Sequence, residues 1–200
     1  GRLPRVVVVV PQGDNGFWIN WWDGTRRYED WLLMELLPDV QRAYHTRSCP
    51  EDCHIMGVSM GGAGTLRFAL RHHEHFRSAT VLSGPIFDTK RMLEFVDSRL
   101  YSLIIPTHRV FGPPRPAAEV APDDPFLVWQ EPEDLHVQLF LGWAEGDRSG
   151  IKASNEALHA HLEEAGIAHH AEEFEGDHKW VSWAPVIERA IAMQVGDSGQ

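Results

Sequence analysis

Short apolar segments that alternate with helical segments constrain the fold of this chain more than any other feature. Alternating strands and helices predict an α/β fold with a mostly parallel sheet flanked by helices, because parallel neighbours need a helical crossover. The predicted strands cover residues 5–10, which are a run of β-branched residues, and residues 54–58, 79–83, 137–143 and 170–174. The predicted helices cover residues 25–44, 63–72, 153–165 and 180–195.

Individual residues indicate where these predicted elements end or bend. The valine run at residues 5–10 stops at Pro11 and is typical of a strand buried on both faces. The helix at 25–44 is expected to bend at Pro38, because proline lacks an N–H donor. Gly166 closes the helix at 153–165, and the more polar strand at 170–174 suits an edge position.

A proline-rich stretch, residues 85–133, interrupts this rhythm. It is too long for a plain connection, and long loops of this kind are often functional lids. The chain has 200 residues, of which 43% are hydrophobic, as in an ordinary globular domain. We therefore predict a single domain over residues 1–200 with a lid-like insertion at 85–133.

The formal net charge of −11 argues against nucleic acid and anionic membranes as partners. The longest aliphatic run, Val6 to Val10, is far shorter than the roughly 20 apolar residues of a membrane helix. The chain starts at Gly1 and shows no signal-peptide pattern. We expect a cytoplasmic protein. Secretion is left open, because the sequence beginning at Gly1 does not define the natural N-terminus.

Two cysteines, Cys49 and Cys53, are too few for a disulfide scaffold. Their spacing is compatible with free thiols, which we favour, or with a local disulfide. A metal site with the nearby His45 and His54 is a third alternative, although the spacing fits no zinc pattern. No metal is expected.

Residues 57–61 read Gly-Val-Ser-Met-Gly, a G-x-S-x-G motif between a predicted strand and a predicted helix. Such a sharp turn exposes the serine oxygen, which makes Ser59 a candidate nucleophile. The Met60 N–H, at the start of the helix, is a candidate donor to an oxyanion. The alternative is a glycine-rich turn that only packs helix on strand.

A serine nucleophile needs a base and an acid that orients the base. In this fold class these follow the serine in the order acid, then histidine. Asp147 follows the fourth predicted strand, at the sheet edge where sites gather, with Glu145 as the alternative acid. His178 precedes the last helix and is the candidate base. Asp177 is expected to stabilise the loop.

Aromatic side chains follow the first predicted strand and flank His178. They are candidates for an apolar acyl or aryl pocket. The alternative is that most of them pack under the lid or against the last helix. The candidate substrate-binding residues are Phe17, Trp18, Trp21 and Trp180.

Several motifs along the chain resemble the putative-esterase family of the α/β-hydrolases, which includes esterase D (S-formylglutathione hydrolase) and tributyrin-type esterases. The resemblance spans nearly the whole chain and implies a catalytic triad of Ser59, Asp147 and His178. The matching segments lie at residues 6–11, 15–18, 28–32, 35–38, 57–62, 69–72, 82–84, 145–147 and 176–180, with Trp183.

The chain departs from this family at its start, because members have further strands and a second oxyanion donor before the segment that matches residues 6–10. The chain is therefore a fragment, or its first strand pairs directly with residues 54–58, or a second subunit fills the gap. In the second case, the amides of Gln12 and Gly13 are candidate donors. An unpaired buried strand also predicts a homodimer.

The resemblance implies a serine carboxylesterase that hydrolyses short-chain acyl or aryl esters or thioesters through an acyl-enzyme, without a cofactor. Its partner is a small-molecule ester. The alternatives are an acyltransferase of the same family and an inactive hydrolase relative that acts as a binding protein.

Overall fold

A computed structural model describes residues 5–196 of the chain. The outermost residues of the predicted domain, 1–4 and 197–200, lie outside the described part. The described residues form two compact units. The first comprises residues 5–6, 48–86 and 129–196, and the second comprises residues 7–47 and 87–128.

The first unit contains a parallel sheet, as the alternation of elements predicts. Within residues 5–196 the sheet has four strands in the order β1-β2-β3-β4. The strand β2 is buried along its whole length, whereas β4 lies at the edge, as predicted from its polar sequence. The strands are β1 (His54–Val58), β2 (Ser78–Leu82), β3 (Gln138–Gly146) and β4 (His170–Asp177).

Helices connect and cover these strands. Helix α3 (Met60–Arg71) follows β1, α9 (Ser149–Glu164) joins β3 to β4, and α10 (Trp180–Gly196) follows β4. Helix α3 begins earlier than predicted, because tertiary contacts override the low helix propensity of its glycines. Side chains of the sheet and of α10 form a core of Leu82, Phe140, Ala144, Phe174, Trp183, Val186 and Ala190.

The second unit contains the remaining helices. Before Pro38, a π-helical turn (Leu32–Leu36) lies between α1 (Tyr28–Trp31) and α2 (Leu37–Tyr44), at the place where the sequence predicts a bend. The proline-rich stretch folds into short helices, and its role as a lid stays a prediction. They are α4 (Thr89–Asp97), α5 (Arg99–Ser102), α6 (Thr107–Phe111), α7 (Ala117–Val120) and α8 (Pro125–Val128).

The predicted strand at residues 5–10 is wrong. The segment pairs with none of the described strands, and Val6 to Val10 are 42–88% exposed. The direct pairing of this segment with residues 54–58 is therefore also wrong, since β1 pairs only with β2 among the described strands. The physical reason is that β propensity expresses fit to a paired, half-buried surface, and none of the strands in the described part of the chain lies beside this segment.

The two cysteines form a disulfide, with the Cα atoms of Cys49 and Cys53 5.1 Å apart. The prediction of free thiols is therefore wrong, and the local disulfide that was left open is the form that the structure shows. The loop brings the two Cα atoms within the usual range for a disulfide, which spacing alone does not decide. Among the helices described for residues 5–196, none is long and apolar enough to cross a bilayer.

Candidate active site

Ser59 lies in the turn between β1 and α3 and has a left-handed backbone conformation, with φ 55° and ψ −120°. Its N–H donates to the Leu82 carbonyl, 2.8 Å away, at the end of the neighbouring strand β2. This bond fixes a conformation that a non-glycine residue rarely adopts. The sharp turn aims the side chain out of the sheet, as expected for a G-x-S-x-G motif.

Gly57 makes the turn possible by permitting a close approach of backbone to backbone. A Cβ atom at this position would lie 1.9 Å from the Gly61 carbonyl oxygen, which no side chain tolerates. The first turn of α3 therefore folds tightly back over the end of β1, and Ser59 lies at the tip of the bend.

Asp147 follows β3, in the same way that Ser59 follows β1. A β-bulge between Ala144 and Gly146 ends the regular pairing with β4 just before it. The Asp147 side chain is fully buried, and its Oδ2 accepts a hydrogen bond from the Ala144 N–H at 2.9 Å. This bond holds Oδ2 in place and leaves Oδ1 available to a second hydrogen-bond partner.

His178 follows β4 and occupies the space between the other two side chains. Its Nε2 is 2.8 Å from Ser59 Oγ, and its Nδ1 is 2.6 Å from Asp147 Oδ1. The preceding Gly176 has φ 126°, and a Cβ there would lie 2.3 Å from Ser182 Oγ. The structure thus brings together the hydroxyl, imidazole and carboxylate that the sequence selects.

Trp183, one of the aromatic residues that flank His178 in the sequence, supports the imidazole. The Trp183 ring packs edge-on against His178, with the ring centroids 4.8 Å apart and an interplanar angle of 86°. Its Nε1 donates to Ser83 Oγ at 2.9 Å. Ser83 follows β2 and has φ 47°. Trp183 lies five residues after His178, near the start of α10, and this proximity in sequence was the available signal.

The two other carboxylates considered for the site lie elsewhere. Glu145 is exposed on β3. Asp177 forms an ion pair with Lys179 and accepts a long hydrogen bond, 3.4 Å, from Ser182 Oγ. The hydrogen bond from Lys179 lowers the pKa of the Asp177 carboxyl, so this residue stabilises the loop beside His178.

The start of α3 offers donors to an anion. Met60 is the first residue of this 12-residue helix, and a first-turn N–H has no acceptor within its own helix. The positive end of the helix dipole adds to this potential. Gln12 and Gly13 belong to the second unit. The strand pairing on which their assignment as oxyanion donors depends is absent, and the second donor stays a prediction.

The candidate pocket residues have different surroundings. Phe17 is buried in the second unit against Phe95 and Phe111, with ring centroids 6.0 and 5.3 Å away. In the same unit, Trp18 donates from Nε1 to the Pro11 carbonyl at 3.2 Å. Their contact with substrate stays a prediction.

Two further pocket candidates are placed as follows. The guanidinium of Arg109 stacks 5.3 Å from the ring of Trp21 in the second unit. In the first unit, Trp180 is 70% exposed and packs edge-on against Trp183. Trp180 is therefore free to contact a ligand, and the pocket itself stays a prediction.

The geometry around Ser59 is suited to proton transfer. A hydroxyl within hydrogen-bond distance of an imidazole, which in turn contacts a carboxylate, is the arrangement that activates serine as a nucleophile. The three side chains come from loops after three different strands of one parallel sheet, all at its carboxyl edge.

Comparison with known proteins identifies relatives of this chain. Two curated relatives are an esterase of Mycobacterium tuberculosis, 25% identical over 86% of this chain and 41% of the relative, and an acetyl esterase of Caldicellulosiruptor saccharolyticus, 26% identical over 94% and 71%. The fluorophosphonate-binding serine hydrolase F of Staphylococcus aureus superposes with a TM-score of 0.76 at 24% identity, over 92% of this chain and 69% of that one.

The structural match shows the fold, and a family model shows the family. The chain spans less than half the length of the M. tuberculosis relative. The solved structure shares the α/β-hydrolase fold predicted from the sequence. A family model described as "Putative esterase" matches residues 2–193, nearly the whole chain. The chain therefore belongs to this esterase family of the α/β-hydrolases.

Proposed function

We propose that the chain is a serine carboxylesterase with Ser59 as nucleophile, His178 as general base and Asp147 as the group that orients the base. The observation that carries the proposal is the continuous contact from Ser59 Oγ to His178 Nε2, 2.8 Å, and from His178 Nδ1 to Asp147 Oδ1, 2.6 Å. Membership of an esterase family supports the reaction class.

In the first half of the reaction, Ser59 Oγ attacks the ester carbonyl while His178 Nε2 takes the hydroxyl proton. Asp147 accepts a hydrogen bond from the Nδ1–H and stabilises the imidazolium. The oxyanion is stabilised by the Met60 N–H and the N-terminus of α3. The C–O bond to the alcohol then breaks, the alcohol takes the proton from His178, and the acyl group stays on Ser59.

In the second half, a water molecule attacks the acyl-Ser59 carbonyl and gives its proton to His178. The bond to Ser59 Oγ breaks, and the proton on His178 returns to that oxygen. The products are a carboxylic acid and the free enzyme. Every step uses side chains and backbone groups of this chain, so the proposed reaction needs no cofactor.

For the substrate, we propose short-chain acyl or aryl esters or thioesters. The acetyl esterase relative supports a small acyl group, although its name describes that protein alone. Trp180, exposed beside His178 and Trp183, is the aromatic surface proposed to contact the substrate in the first unit. An apolar face with few polar groups suits an acyl or aryl chain.

The test is hydrolysis of p-nitrophenyl esters from acetate to octanoate by the wild type and by Ser59→Ala. We expect turnover of the short esters that Ser59→Ala abolishes, because the acyl-enzyme cannot form. The matched control is Ser48→Ala, since Ser48 is an exposed serine in the loop before β1. This control should leave turnover unchanged.

Two results would point away from the proposal. Equal, slow hydrolysis by wild type and Ser59→Ala would favour the inactive relative that acts as a binding protein. A wild type that transfers the acyl group to an added alcohol faster than to water would favour the acyltransferase. Labelling by a fluorophosphonate probe at Ser59, read by peptide mass, reports nucleophile reactivity independently of the chosen ester.

A further inference from the structure

A group of metal-ligating side chains lies at the end of α9, apart from the candidate active site. His159 and Glu163 are one helical turn apart on α9, and His169 lies in the loop just before β4. One potential ligand atom from each residue lies within 4.8 Å of the others. The last turn of a helix also carries partial negative charge, which favours a cation.

The hydrogen bonds of His169 fix which of its nitrogens is free to bind. Its Nδ1 lies 2.8 Å from the Ile167 carbonyl oxygen, so Nδ1 carries the proton and donates to that oxygen. In the neutral ring, Nε2 then carries a lone pair. Metal-ligating histidines usually bind the ion through one ring nitrogen and donate the N–H of the other nitrogen to a group such as a backbone carbonyl.

The lone pair of His169 Nε2 faces the Nδ1 atom of His159, which is 2.8 Å away. Two imidazole nitrogens at this distance either share one proton or converge on one cation. Nitrogens bound to one tetrahedral zinc ion at about 2.0–2.1 Å lie roughly 3.3 Å apart, so a shift of about half an ångström suffices. The exposed Glu163 side chain has the rotatable bonds to reach the same point.

We propose that His159 Nδ1, His169 Nε2 and a Glu163 carboxylate oxygen form a binding site for one divalent transition-metal ion, with zinc as the fitting ion. Two imidazoles and one carboxylate suit zinc far better than magnesium or calcium, which prefer all-oxygen sites. Water completes the coordination on the exposed side of Glu163. This proposal departs from the sequence-based expectation that no metal binds.

The role of the ion is structural, because the site lies at the wrong end of β4 for catalysis. The strand β4 has 8 residues, which at about 3.3 Å per residue puts roughly 25 Å between its ends. His169 precedes the strand and His178 follows it. A bound ion connects the end of α9 to the start of β4 and stabilises the folded state by mass action.

The test is calorimetric titration of the EDTA-treated, dialysed protein with Zn²⁺, alongside thermal unfolding with and without Zn²⁺. We expect one saturable site and a rise in the melting temperature. His169→Asn should weaken binding at least about tenfold, since it removes Nε2 while an amide can still donate to the Ile167 carbonyl. His159→Gln removes Nδ1 in the same way. Mg²⁺ should not compete.

Two further variants separate this site from unspecific binding to histidine. Glu163→Gln lies on the surface and keeps the fold, so weaker Zn²⁺ binding by this variant also supports the site. His136→Gln alters another close pair, in which the rings of His73 and His136 are 4.3 Å apart. The proposal is overturned if no saturable binding occurs, if the site variants bind Zn²⁺ as the wild type does, or if His136→Gln loses as much affinity.

Discussion

At the scale of single residues, the backbone of Ser59 shows how the candidate nucleophile is held. A non-glycine residue in the left-handed region costs on the order of 1–3 kcal/mol, and such strain persists only where the surroundings enforce it. The hydrogen bond to Leu82 and the close approach of Gly57 to Gly61 do so. Ser83, which follows the next strand, has the same rare conformation and anchors Trp183.

Asp147→Asn is expected to lower kcat about 10⁴-fold while leaving the fold intact. The Ala144 N–H still finds an oxygen acceptor on the asparagine, so the Nδ2 group must face His178. His178 Nδ1 then has to accept, Nε2 carries the proton, and the imidazole cannot take the Ser59 proton. Rates with p-nitrophenyl acetate, together with thermal unfolding, measure this effect.

Glu145→Gln is the matched control for that variant, because Glu145 is exposed near the end of β3, two residues before Asp147. It should retain the wild-type kcat. The assignment of Asp147 would be abandoned if Glu145→Gln lost activity and Asp147→Asn kept it.

At the scale of elements, the local sequence pattern was sufficient to predict a strand or helix wherever the burial and the periodicity of its residues agree. The β1 bounds match the prediction, and α10 begins at the predicted residue. The chain order of Ser59, Asp147 and His178 could be read because each follows a strand of one parallel sheet. The valines at residues 5–10 could not be placed, because strand formation depends on a partner that a local pattern does not reveal. Trp183 was recognised as an aromatic neighbour of His178, but its edge-on contact with the imidazole and its hydrogen bond to Ser83 depend on how α10 packs and could not be read from the pattern.

The start of β1 provides a prediction about acid stability. His54 is half-buried, with Nδ1 2.7 Å from Ser78 Oγ, and burial followed by repulsion from Arg77 lowers its pKa below 6.5. The unfolded chain therefore binds a proton at a higher pH than the folded chain does. The stabilising contribution is complete above pH 6.5 and is lost as the pH falls through the lowered pKa.

His54→Asn can keep a hydrogen bond to Ser78 and cannot be protonated in this range. We expect the free energy of unfolding, measured with urea between pH 8 and pH 5, to fall less in this variant than in the wild type. The comparison with the wild type cancels the other histidines. An equal fall in both proteins would show that His54 is not a source of acid sensitivity.

At the scale of the whole molecule, the fold class could be predicted from the sequence more readily than the environment of individual side chains. Phe17 illustrates the difference. Its position after the valine run predicts contact with substrate, which stays a prediction, and only the structure shows that its ring packs against Phe95 and Phe111 in the second unit. The orientation of an aromatic ring in a loop depends on packing partners that are far away in sequence. A local sequence pattern does not reveal these partners.

The exposed valines of residues 5–10 support the prediction of a homodimer. Val8 and Val10 are 70% and 88% exposed, and a contiguous apolar run of this kind marks an interaction surface. Each copy carries a formal net charge of −11, so like-charge repulsion opposes the association and salt should screen it. We expect a dimer at micromolar concentration whose fraction rises between low and physiological ionic strength, measured by size-exclusion chromatography with light scattering.

The double variant Val8→Lys, Val10→Lys should be monomeric under the same conditions, because it places charge in the apolar run. Lys90→Gln is the control for a change of surface charge, since Lys90 is exposed on α4 in the same unit. The Val8→Lys, Val10→Lys variant also lowers the net negative charge, which by itself would favour association. A shift to monomer therefore reflects the disruption of the apolar run and not the change in net charge, whereas a wild type that elutes as a monomer at every salt concentration removes the prediction.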